Sequence, residues 1–165
     1  MGKQEIYALF AREGIEYEAI EHKAVYHMDD LADVQLPHPE ADAKNLFVRD
    51  DKRRDYYLIT VRGDKRVDLK QFRRDHGTRP LTFAHADELG AMLGLTPGAV
   101  TPLGLLNEKE CRVKMFLDAD LVSCGLAGVH PNDNTATVFL KTADLVQLVR
   151  QSGHEVEITD RKSVV

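Results

Sequence analysis

Ala43-Lys44-Asn45-Leu46-Phe47-Val48-Arg49-Asp50 runs into Asp51-Lys52-Arg53-Arg54-Asp55 and out again through Tyr56-Tyr57-Leu58-Ile59-Thr60-Val61-Arg62. Two β-prone runs separated by a short, wholly charged stretch are the pattern of an antiparallel hairpin. Around it the spacing changes character. Residues 3–12 place Ile6, Leu9 and Phe10 at helical intervals and stop at Gly14, and residues 17–20 alternate as a strand does. Residues 28–34 read as a short helix opening at Asp29 or Asp30, and residues 37–39, Pro-His-Pro, read as a loop. Past the hairpin, residues 68–76 predict a helix with Leu69 and Phe72 inward, residues 81–84 a strand, and residues 86–93 a helix halted by Gly94. Residues 111–117, 135–140 and 156–158 predict strands, and residues 142–151 an amphipathic helix. Hairpins mixed irregularly with single helical connections favour α+β over a doubly wound sheet. The expectation is one domain over residues 1–160, a mixed, mostly antiparallel β-sheet flanked by helices, with a tail at 161–165.

Composition narrows the function classes. The chain has 165 residues, 43% hydrophobic and 30% charged, the balance of a soluble globular domain. No apolar run approaches the length of a membrane span and the first residues are polar, so a cytoplasmic protein without a membrane partner is expected. Cys111 and Cys124 lack metal-ligand spacing and read as reduced core thiols. The net charge of -5 argues against nucleic acid. Its distribution argues the other way, because residues 49–79 carry eleven lysines and arginines against six aspartates, half of all 22 basic residues. By itself that stretch describes the solvated faces of a hairpin and a helix.

Familiar catalytic motifs are absent: there is no G-x-S-x-G, HExxH, phosphate-binding loop or dinucleotide fingerprint. His38-Pro39-Glu40 matches half of a zinc deaminase signature, but no P-C-x-x-C follows. Cys124 with His130 lacks any visible means of activating the thiol. Neither a covalent nor a metal mechanism has support, and no cofactor is called for.

Three segments remain: Ala43-Lys44-Asn45 at the mouth of the hairpin, Pro97-Gly98-Ala99-Val100-Thr101-Pro102-Leu103-Gly104-Leu105, and Gly128-Val129-His130-Pro131-Asn132 in a Gly- and Asn-rich loop at 125–134. A lysine before a strand is ordinarily a solvated edge residue, a Pro-Gly loop ordinarily a rigid turn, and His130 ordinarily a loop residue. Taken together and in order, the segments resemble the YbaK/ProX family of free-standing aminoacyl-tRNA editing domains over nearly the whole chain. The resemblance implies hydrolysis of the ester of mischarged tRNA(Pro), with Lys44 the catalytic residue. It also implies an aminoacyl pocket lined by Asn45, Gly98, Val100, Thr101, Pro102, His130 and Pro131, with Tyr26, His27 and Met28 at its edge. An RNA substrate turns Lys52, Arg53, Arg54, Arg73 and Arg74 into tRNA-binding candidates, and a synthetase is a conceivable partner. Lys44-Asn45 and the Thr101-Pro102 loop differ from the Lys-Thr and Gly-Gly-Ile-Ser-Pro of the Cys-tRNA(Pro) branch, which favours the Ala-tRNA(Pro) branch. Cys-tRNA(Pro) deacylation, or a non-catalytic module binding an aminoacyl group beside a synthetase, is the alternative. In such a pocket Gly98 and Gly104 would let main-chain N–H groups reach a ligand.

Overall fold

The structure, a computed structural model, describes residues 1–23 and 37–159. The predicted hairpin is there, as β2 (Ala43–Asp50) and β3 (Tyr56–Arg62), antiparallel with Asn45 opposite Thr60. It forms the centre of a five-stranded sheet in the order β4-β2-β3-β5-β8, where β4 is Leu81–Phe83, β5 Val113–Asp118 and β8 Val156–Thr159. The pairs β3–β5 and β5–β8 are parallel. A second sheet, all antiparallel, sets β1 (Tyr17–Glu21) and β6 (Leu126–Val129) on either side of β7 (Ala136–Lys141). The fold is therefore α+β with mixed and mostly antiparallel pairing, its strands divided between two sheets that are bridged at Asp42 and Gly128.

Strand alternation sends the hairpin's side chains into two cores. Phe47, Tyr56 and Leu58 enter the larger one, shared with Ile6, Leu9 and Phe10 of α1 (Lys3–Glu13), with α3 (Ala86–Leu93) and with α5 (Thr142–Gln151). Val48, Ile59, Val61 and Phe116 enter a smaller one closed by Phe72 of α2 (Leu69–His76). Phe116, expected on the outer face of its strand, is 2% exposed because α2 covers that face. Asp68 starts α2 by accepting from Lys70 N and Gln71 N, and Gly77 ends it at φ +66°.

Two expectations fail around Gly125. The loop expected at 125–134 opens as a strand, because β6 occupies Leu126–Val129; it follows α4 (Ala119–Cys124), which Asp118 caps by accepting from Asp120 N and to which the sequence assigns no element. A helix this short and a four-residue strand containing glycine give almost no periodic signal. Gly128 is needed there, since a Cβ would stand 2.8 Å from Phe139 Cδ1 across the β6–β7 pair. The cysteines are free but exposed, not core thiols: Cys124 is the last residue of the short α4, and Cys111 precedes β5.

Candidate active site

The hydrogen-bond parity of β2 decides what its mouth presents. Asp50 N–H donates to Asp55 O and Ala84 N–H donates to Phe47 O, so even-numbered residues of β2 turn their main-chain groups to β3 and odd-numbered ones to the β4 edge. Because β4 ends at Phe83, the N–H and C=O of Asn45 face outward beyond it. The Asn45 side chain is oriented too: Thr60 Oγ1–H donates to its Oδ1 at 2.6 Å, which turns the amide NH2 away from the sheet partner. Asn45 thus offers two donors at an open edge. They border a cavity of about 220 Å³ formed with Phe47, Phe83, Ala84, Pro97 and Val100.

The loop at 97–102 ties this cavity to the second sheet. Pro97–Ala99 form a single 3-10 turn that carries Gly98, and Val100 faces the cavity. Thr101, fully buried, donates from Oγ1 to His130 O at 2.6 Å and accepts from Leu103 N. Pro102 and Pro131 are buried beside it. Gly104 does not serve a ligand as expected. It is buried, and a Cβ there would lie 2.5 Å from Leu95 Cδ1, so its role is close packing.

His130 has a defined protonation state. A carbonyl can only accept, so the 2.8 Å contact with Ala136 O places the proton on Nδ1 and leaves Nε2 as an acceptor. Desolvation by burial, offset in part by that bond, pushes its pKa below 6.5, and the ring is neutral at pH 7. His22 lies against it, ring centroids 6.1 Å apart and edge-on, held by Thr137 Oγ1 at 2.9 Å and by Lys23 O. Nothing in the sequence around His22 marks it. Only the β1–β7 register, with Ile20 opposite Thr137, carries it to His130.

Lys44 is placed differently from Asn45. On the β2 face of Leu46 and Val48, the α2 side, it is half-buried and its Nζ donates to Lys65 O at 3.1 Å. Lys65 is itself fixed by ion pairs to Asp118 (2.8 Å) and Asp120 (2.7 Å). Lys44 and Asn45 therefore flank the strand rather than share one wall. Lys52, Arg53 and Arg54 are exposed at the hairpin turn, with Arg53 at φ +55°, and Arg73 and Arg74 are exposed on α2. Tyr26, His27 and Met28 lie outside the described residues. So do the predicted helix at 28–34 and the tail at 161–165.

His85, Asp87 and Glu88 bring three potential metal ligands within 4.8 Å of one another. Against the upward push of burial, Glu88 is held by Tyr56 (2.7 Å), His85 N (3.0 Å) and Arg49 (3.0 Å), which together keep its carboxyl down at about 2. The cluster is a helix start locked to the sheet, and it serves the fold. Among the described residues no helix is long and apolar enough to cross a membrane.

Asp42, two residues before Lys44, has its carboxyl pushed up by burial to about 6 from 3.8. Because the folded state holds the proton more tightly, this group costs nothing below about pH 4, and its cost builds as pH rises from about 4 to 6 and is fully present above 6. The gap of about 2 units corresponds to about 3 kcal/mol near pH 7. Asp42→Asn is expected to stabilise the protein by that order at pH 7.5, with the gain fading toward pH 4. Urea denaturation across that range reads it, and a gain independent of pH would contradict the burial argument.

A fold of this kind has known counterparts. The model of the aminoacyl-tRNA editing domain family matches residues 22–148. The prolyl-tRNA editing protein ProX of Acetoanaerobium sticklandii is 38% identical over 152 residues, covering 92% of this chain and 93% of its own. Prolyl-tRNA synthetase associated domain-containing protein 1 of Mus musculus is 31% identical over 149 residues, covering 86% and 85%. A solved structure reported as a "putative trans-editing enzyme for prolyl tRNA synthetase" superposes with a TM-score of 0.73 over 96% of this chain and 94% of its own, at 21% identity, and so speaks for the fold. The chain belongs to the aminoacyl-tRNA editing domain family, and is an aminoacyl-tRNA deacylase, an ester hydrolase.

Proposed function

We propose that this protein hydrolyses the aminoacyl ester of mischarged tRNA(Pro), with Ala-tRNA(Pro) its principal substrate. The observation that carries the reading is the small, stiff cavity between Asn45 and Val100. At about 220 Å³ it is below the range of about 300–1,000 Å³ that holds a drug-sized ligand, so it discriminates by size. The relatives named for prolyl-tRNA, aligned over most of this chain, supply the tRNA.

An aminoacyl ester is already activated, so positioning and oxyanion donors suffice. In this reading the Asn45 amide and main-chain N–H face the ester carbonyl, whose oxygen gains charge as water adds. Neutral His130 accepts at Nε2 from the substrate or the attacking water, and Thr101, bonded to His130 O, braces Val100 from behind the wall. The ribose hydroxyl of the terminal adenosine orients the water. Lys44, on the α2 side of β2, holds a backbone phosphate of the tRNA end. Lys52, Arg53, Arg54, Arg73 and Arg74 meet phosphates further along, in the cytoplasm, with prolyl-tRNA synthetase the partner that delivers the charged tRNA.

The test is selectivity. A missing methylene costs only about 1–3 kcal/mol, whereas a ring too large for a rigid wall is excluded by clash. Labelled Ala-tRNA(Pro) is expected to be cleaved, Ser-tRNA(Pro) more slowly, and Pro-tRNA(Pro) essentially not at all. Comparable cleavage of the alanyl and prolyl esters would overturn size exclusion, and preference for Cys-tRNA(Pro) would move the protein to that branch.

A further inference from the structure

Phe83 is the most exposed large hydrophobic residue among those described, at 55%. A phenyl ring at the tip of a three-residue edge strand has no structural reason to face water. Its neighbours explain the position. Leu81, two residues earlier on the same face, packs into the small core with Phe72, and α2 lies against β4. The ring thus stands on the side of the sheet that carries Lys44 and the last-turn cations Arg73 and Arg74. At the same time Phe83 and Ala84 line the cavity together with Pro97 and Val100. A flat apolar surface therefore joins a basic face to the mouth of the candidate site.

Single-stranded nucleic acid is held by this combination: cations that track phosphates, and aromatic rings on which bases stack whatever their sequence. A cavity of about 220 Å³ is too small for a nucleotide together with its amino acid, so the base has to rest outside it. We infer that Phe83 is the stacking platform for the 3′-terminal base of the charged tRNA, which leaves the base on the rim while the ester reaches in to Asn45. The inference rests on the tRNA reading above and adds a binding residue to it. Stacking on Phe83 fixes the terminal adenosine, and the ribose between base and ester transmits that position to the reacting carbonyl.

The experiment uses the full-length protein with Phe83→Ala and Phe83→Trp, both at an exposed position whose replacement leaves the cores intact. The probe is tRNA(Pro) carrying 2-aminopurine in place of the terminal adenine, whose fluorescence is quenched by stacking. The unmodified protein and Phe83→Trp are expected to quench it. Phe83→Ala is expected to lose the quench and to weaken binding by about 5- to 150-fold, the range that alanine substitution of a stacking ring produces. In turnover, Phe83→Ala is expected to raise KM for Ala-tRNA(Pro) and to lower its hydrolysis relative to alanine methyl ester, which has no base to stack. Unchanged quench and KM in Phe83→Ala would overturn the inference, as would loss of synthetase binding alone, which would make the ring a protein contact. Because quenching is read without turnover, it tests Phe83 even if the unmodified protein spares every aminoacyl-tRNA, a result that would instead defeat the deacylation reading.

Discussion

Lys44→Ala is expected to lower hydrolysis of Ala-tRNA(Pro) about 100-fold or more while the protein stays folded, because the phosphate it holds positions the ester at Asn45 and a displacement of about 1 Å costs that much. Its Nζ makes one hydrogen bond, to Lys65 O, and its side chain belongs to neither core. The structural cost is that of one half-exposed hydrogen bond, about 1 kcal/mol. Circular dichroism and the unfolding midpoint are therefore expected to change little while kcat/KM collapses. Lys44→Arg keeps the charge but cannot place a compact ammonium on the same carbonyl and phosphate, and partial recovery is expected. Near-normal activity in a folded Lys44→Ala protein would remove Lys44 from the site and leave Asn45 and His130 as its core.

Lys65→Met is expected to destabilise the protein by about 3–5 kcal/mol, the cost of removing one partner from a buried ion pair. Lys65 is 9% exposed and Asp118 fully buried, and the ammonium answers both Asp118 and Asp120. Without it, Asp118 keeps among the described residues the donors Arg62 N and Asp120 N, on a carboxylate shut away from water. In a domain of this size the thermal midpoint would fall by about 10 °C. Urea denaturation and calorimetry read the effect. A loss below about 1 kcal/mol would show that water reaches Asp118 and that the pair behaves as a surface one. The same network holds the carbonyl that orients Lys44, so residual folded Lys65→Met protein is also expected to be a weaker deacylase.

Local sequence determined much of this protein. The β2–β3 hairpin was legible because its apolar runs are long and its turn wholly charged, and α1, α2, α3 and α5 because each combines helical periodicity with a stop at or just beyond its end. The order of the Lys44-Asn45, 97–105 and 128–132 segments pointed to an aminoacyl-tRNA editing domain, which the family match bears out. What the sequence could not carry is whatever depends on pairing across distance. The short α4 and β6 exist because Asp118 caps one and β7 pairs with the other. Strands split into two sheets because their partners are chosen by packing, which no window of adjacent residues contains. The same reason governs the site. Adjacent residues on a strand face opposite ways, so Lys44 and Asn45, neighbours in sequence, serve different sides of the sheet. Unremarkable in the chain, His22 reaches His130 and Phe83 reaches the cavity only through the registers of β1 on β7 and β4 on β2.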